Sequence, residues 1–361
     1  MRKSIAIILA LSFMLVSCAK AADPAVSAVD AAAQAPAQAP TQSEAQAPET
    51  AETADTGFAS ITIPHAYGET VIESKPERIA AIAWGNADVP LALGIVPVGI
   101  SEANWGVIDG GQLLPWTKEK LEELGGTSSC DVFDDTDGWD YEAINECEPD
   151  IIIAASSGLS QEEYDTLSAI APTIPYPGKA WQTSWRDQIL INSKAIGMEE
   201  EGKQLVEDLN SLIADKTAEY PQLAGKTAAF AYVSPADLST ISFYTPTDTR
   251  GGFLEDLGFA LPESLSSLYK ESGDFFITIS AENVDMLDDI DILVSYALTD
   301  DAIEVVLSDP LIGTIPAFVR GSFIMVPEGP LSAAGSPSAL SIPWAIDEYI
   351  ARLVEAADKV K

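Results

Sequence analysis

A chain of 361 residues, 47% of them hydrophobic, is long enough to bury one large core or two modest ones. Its formal charge of −37 makes nucleic acid and anionic lipid head groups poor partners, and most of its carboxylates are expected on solvated faces. With one histidine, His65, the chain has little from which to build a Ser-His-Asp triad or a histidine-based zinc site.

Arg2 and Lys3 precede the apolar run Ile5 to Val16, and small residues then lead to Cys18. The apolar run is short of the ~20 residues that span a bilayer. It resembles a bacterial lipoprotein signal with its lipobox, which implies removal of residues 1–17 and lipidation of Cys18. The expectation is an extracytoplasmic protein held to the cell membrane by acyl chains, with its net charge more negative still once Arg2 and Lys3 are gone. Residues 18–57 are built from Ala, Pro, Gln, Thr and Glu with repeated QAP triplets, a composition that cannot bury a core, so they read as a disordered tether.

His65 falls in a strand-turn pattern, ITIPHAYGETVI. PERIAAIAW follows as a strand, broken at Trp84-Gly85-Asn86, and Ala87 to Leu93 reads as a short helix that Gly94 ends. Trp84 at the mouth of that strand serves either core packing or a ligand. The acidic run Asp131 to Asp140, DVFDDTDGWD, lacks the alternate carboxylate spacing of an EF-hand and reads as a solvated loop rather than a calcium site. Cys130 and Cys147 flank it. In an oxidising compartment they read as one disulfide, which would contribute on the order of 3 kcal/mol by closing the loop; two reduced thiols are the alternative. Asp150 to Ile153 is a buried strand, with Ser156-Ser157-Gly158 after it.

Ser184 can cap a helix that Gly197 interrupts, and Glu199 to Ala218 carries Leu205, Leu209, Leu212 and Ile213 at helical spacing before Pro221. Beyond it the pattern repeats. GKTAAFAYV is a strand, Gly252 to Leu257 a helix ended by Gly258, and Asp291 to Val294 a later strand. Alternation of this kind indicates α/β lobes with mainly parallel sheets, expected at 58–197 and 221–361, joined by a single long helix at 198–220.

PERIAAIAWGNADVPLALGIVPVGI, YEAINECEPDIIIAASS, YDTLSAIAPTI, DPLIGTIPAFVRGSFIMV and LSIPWAIDEYIARL together resemble the substrate-binding proteins of ATP-driven ferric-siderophore importers. That family also takes in cobalamin and haem binders. The resemblance implies a receptor that is not an enzyme, has no resident cofactor and no direct metal ligand, and binds an Fe(III)-siderophore complex between its lobes. It implies delivery to an ABC permease dimer with its ATPase subunits, by a monomer. One glutamate per lobe would contact the permease, here Glu142 in WDYEAI and Glu282 in ISAENV.

In parallel sheets ligands sit beyond the carboxyl ends of the strands. That edge holds Trp84, Asn86, Ser156, Tyr232 and Tyr296, and Trp105 and Trp181 could complete an aromatic rim. Arg250 begins a helix, where a cation opposes the macrodipole unless an anion is near. It is either a surface residue paired with Asp248 or a donor to the oxygen atoms of the chelate. The acidic field favours neutral or cationic ferric hydroxamates over a triply anionic ferric catecholate. The alternatives are a cobalamin or haem receptor of the same fold, with tyrosine serving haem, and an exported carboxylate-dependent hydrolase.

Overall fold

The computed structural model describes residues 58–360 except 109, 297, 298 and 327. The expected signal peptide (1–17), tether (18–57) and lipidated Cys18 lie outside the described residues. No described helix is long and apolar enough to cross a membrane.

A hairpin of β1 (Ile61–His65) and β2 (Gly68–Ile72) opens the folded part. His65 is buried there, with Nε2 against the Thr70 hydroxyl at 3.0 Å. The N-terminal lobe then runs β3 (Ile79–Ala81), α1 (Asp88–Ala92), β4 (Gly99–Ser101), α2 (Pro115–Glu123), β5 (Asp131–Phe133), α3 (Tyr141–Glu146), β6 (Ile151–Ile153), α4 (Gln161–Ser168) and β7 (Thr173–Ile174). Its strands pair in the order β5-β4-β3-β6-β7, all parallel. Helices on both faces bury both faces, so β6 can be three consecutive isoleucines, each at 0% exposure. Ile79, Ala81, Ile151 and Ile153 point into one core, and Ala80, Ile82 and Ile152 into another on the opposite face.

The two cysteines are not bridged: Cys130 and Cys147 are free and buried. Cys130 packs in the first of those cores and Cys147, at the end of α3, in the second. The Cys147 thiol donates to the Asp131 carboxylate at 3.2 Å, and burial pushes both thiols up to about 12. Nor is the acidic run wholly a solvated loop. Asp131 to Phe133 is β5, Asp135 is half-buried and accepts from Ser101, and Asp140 caps α3 by accepting from the Ala143 N–H at 3.0 Å.

α5 (Trp185–Ala195) starts at Ser184, which accepts from the Asp187 N–H, and the chain turns at Gly197 (φ 73°) into α6 (Glu199–Ala218). Twenty residues make α6 about 30 Å long. Leu209 and Ile213 are buried, and Leu205 and Leu212 pack partly against the same core.

β8 (Ala228–Ser234) begins the C-terminal lobe, followed by β9 (Asp237–Tyr244), α7 (Thr249–Asp256), α8 (Glu263–Ser272), β10 (Phe276–Ser280), a 3₁₀ segment Ala281–Leu287, β11 (Ile292–Tyr296), α9 (Asp300–Ser308), α10 (Pro316–Arg320), β12 (Phe323–Val326), α11 (Pro330–Ala334) and α12 (Ser341–Ala357). This sheet, β10-β9-β8-β11-β12, is mixed rather than parallel throughout: β8, β11 and β12 are parallel, and β9 runs against both β8 and β10. Only Pro235 and Ala236 separate β8 from β9, and so short a loop can join only antiparallel neighbours.

One core spans the lobe boundary. Val89, Trp116, Trp185 and Ile189 of the first lobe pack with Phe230, Phe253, Ile342 and Tyr349 of the second. Arg186 adds an ion pair to Asp256 at 2.8 Å, and the Trp185 indole donates to the same carboxylate at 2.9 Å. The lobes are held by shared packing as well as by α6.

Candidate functional site

The carboxyl ends of the two sheets face one cavity of about 720 Å³. Its size is that of a small-molecule site. After β3 the backbone turns left-handed at Ala83 (φ 63°) and Gly85 (φ 68°), on either side of Trp84. Gln188 of α5 fixes this turn by donating to the Trp84 carbonyl at 2.8 Å. A non-glycine residue at positive φ is strained, and here the strain sits beside a cavity-lining indole.

From Trp84 an aromatic wall crosses the lobes. Trp84 lies 6.2 Å from Trp105 between ring centres, Trp105 stands edge-on to Tyr296 at 5.0 Å, and Tyr296 to Tyr244 at 6.2 Å. Trp181 lines the opposite side, also at positive φ (61°), with its N–H donating to the Ser157 carbonyl at 3.0 Å. Its indole rests on the turn after β6 because position 158 is glycine: a Cβ there would come within 2.3 Å of Trp181 Nε1. Beside it, Lys179 and Gln182 both donate to the Gly273 carbonyl of the second lobe, so this loop links the two lobes.

Arg250 is paired with Asp248, set into the cavity wall rather than out on the surface. Asp248, 2% exposed, caps α7 by accepting from the Arg250 N–H at 2.9 Å. The same carboxylate takes Nε at 2.7 Å and Nη2 at 2.6 Å in a bidentate pair, while Nη1 donates to the Tyr296 hydroxyl and the guanidinium lies 3.8 Å over the Tyr244 ring. Burial alone would lower the arginine's pKa, but the Asp248 hydrogen bonds outweigh it and raise it. The guanidinium lines the cavity with its side chain 20% exposed. It has five N–H groups and three are spent, so two remain to reach a ligand.

At the cavity floor Asp88 accepts from Trp116 Nε1 at 2.9 Å, Thr117 Oγ1 at 2.7 Å and the Ser338 hydroxyl, joining α1 and α2 to the turn before α12. Its carboxyl is raised to about 6, burial outweighing the three donors.

Of the residues expected from sequence, Trp84, Trp105, Ser156, Trp181, Tyr232, Arg250 and Tyr296 all line the cavity. Asn86 does not. It is fully buried, and its amide donates to Ile82 and Ser156 carbonyls at 2.7 and 2.9 Å and accepts from Ser156 N–H, Gln188 and Asn192. Asn86 therefore builds the strand ends instead of meeting a ligand. Trp139, Tyr244, Asp248 and the serines of 336–338 were not anticipated as lining residues. Tyr244 had a readable signal, as the last residue of STISFY before a turn-rich TPTDT. Glu142 and Glu282 are exposed in the first turns of α3 and the 3₁₀ segment, and Ser280 accepts from the Glu282 N–H at 3.4 Å.

The family model described as periplasmic binding protein matches residues 79–329. The fold superposes on a crystal structure of Streptococcus pneumoniae TIGR4 PiaA in complex with ferrichrome, with TM-score 0.80 and 43% identity, covering 83% of this chain and 100% of that one. The sequence is 29% identical over 241 residues to the probable siderophore-binding lipoprotein YfiY of Bacillus subtilis strain 168, 66% of this chain and 68% of that protein. It is 25% identical over 272 residues to the ferric enterobactin-binding periplasmic protein FepB of Escherichia coli O6:H1, 71% and 80% of the two chains.

Proposed function

Because this chain belongs to the periplasmic binding protein family, we propose that it is the extracytoplasmic receptor of an ABC importer and binds a ferric siderophore in the cavity between its lobes. The observation that carries this reading is the wall Trp84-Trp105-Tyr296-Tyr244, contributed by both lobes, with one neutralised arginine set into it. Such a surface suits a bulky, largely apolar chelate shell, with two guanidinium N–H groups left for its outer oxygens. A tris-hydroxamate complex of Fe(III) is uncharged and fits that description. The PiaA crystal complex with ferrichrome supports the same ligand class.

In this reading the receptor acts as a monomer tethered through Cys18, has no resident cofactor, and presents Glu142 and Glu282 to arginines of the permease, one per lobe. Charge-assisted pairs of that kind set orientation.

Titration of the mature protein with ferrichrome, ferric enterobactin, ferric citrate, cobalamin and haem, followed by tryptophan emission, tests the proposal. Stoichiometric, saturable quenching by a ferric siderophore without turnover is expected. Saturation only by cobalamin or haem, or conversion of an added glycoside or ester, contradicts it.

A further inference from the structure

We propose that Asp248 sets the charge selectivity of the cavity: by neutralising Arg250 in place, it makes the guanidinium a donor to uncharged ligand oxygens and withholds a net positive charge from anionic chelates. The inference rests on the ferric-siderophore reading and narrows it.

Arg250 is the one cation lining the cavity among the described residues, and besides Asp248 the other charged groups on its wall are Asp88, Glu102, Asp135 and Glu328. An anionic ligand thus has a single attractive charge to find, and Asp248 already occupies it with two hydrogen bonds of 2.6 and 2.7 Å. The pair is fixed from both ends. Asp248 is 2% exposed and bound to its own helix N-terminus, and the guanidinium is packed on Tyr244 and bonded to Tyr296. Turning the arginine toward an anion would leave that carboxylate buried and unpaired, which costs far more than a surface pair would return. With the ion pair intact the two free N–H groups serve the oxygens of a neutral ligand fully, but they offer an anion no net positive charge.

Asn and Ser both retain an N-cap acceptor at position 248 while removing the charge, so a change in ligand selectivity separates this role from capping. Arginine cannot relieve the resulting excess charge by losing its proton. The test measures Kd for ferrichrome, which is neutral, and ferric enterobactin, which is triply anionic, at low and high salt. The wild-type protein is expected to bind ferrichrome at least a hundredfold more tightly. In Asp248→Asn the ratio of the two constants should fall at least tenfold, with enterobactin binding weakened by salt, whereas in the wild type screening of the acidic field leaves it unchanged or strengthens it. Arg250→Gln in the Asp248→Asn background should abolish that gain. Asp248→Ser serves where the Asn variant fails to fold by circular dichroism. A ratio unchanged within twofold in both variants, or a wild type that prefers the anionic complex, overturns the role of Asp248 and leaves the receptor reading standing. A wild type that binds neither ferric complex refutes both.

Discussion

Replacing Asp88 by Asn is predicted to change how stability depends on pH. The carboxylate is 2% exposed and holds three donors from two lobes, the Trp116 indole and the Thr117 and Ser338 hydroxyls. Burial raises its pKa from 3.8 to about 6 against the pull of those donors. A folded-state value above the unfolded one means that the native protein binds this proton more tightly. The stabilisation is complete below pH 3.8 and is lost as pH rises through about 6. Between about pH 4 and about pH 7.5 the linkage amounts to about 2.5 kcal/mol. Asn cannot titrate, and its mismatch with the three donors adds a penalty that does not vary with pH. Urea unfolding of both proteins across that range should show wild-type stability falling relative to Asp88→Asn by about this amount as pH rises. A constant difference, or one that grows in favour of wild type, would mean that the donors hold Asp88 comfortably ionised, and would refute the argument from desolvation.

Trp84→Ala and Trp105→Ala should each weaken siderophore binding roughly 10- to 100-fold in fluorescence titrations, as for buried aromatic anchors generally; an effect under twofold would place the ligand elsewhere. The double variant Glu142→Ala, Glu282→Ala should keep its ligand affinity and thermal midpoint while iron uptake into cells falls sharply, and normal uptake would remove the docking role. Cys130 and Cys147, free and buried, should resist maleimide in the native protein and react at both sites once unfolded without reductant; a single band without label would mean that a disulfide forms.

Much of the cavity was readable because strand ends are. AIAW, DIIIAASS and DILVSY each announce a buried parallel strand, and whatever follows one lies at the ligand edge. The same rule misplaced Asn86, whose burial depends on Gln188 and Asn192, 102 and 106 residues further on. Spacing suggests a bridge between Cys130 and Cys147, but it does not reveal which core each side chain packs into, and here the cores differ. Antiparallel β9 has no counterpart in the first half, so the repeat in the sequence does not reveal it, and only the two-residue step Pro235-Ala236 requires it. Asp248 was visible beside Arg250 as a pairing partner. Its position inside the cavity depended on how α7 meets β9 and β11, which no local pattern encodes.

A bound ferric siderophore would place iron between the lobes. Crystals of the mature protein grown with ferrichrome and measured at the iron absorption edge locate the metal directly. A single anomalous peak is expected inside the cavity, against the Trp84-Trp105-Tyr296-Tyr244 wall and Arg250, with no protein atom among its ligands. A peak outside the cavity, or one coordinated by protein side chains, would contradict it.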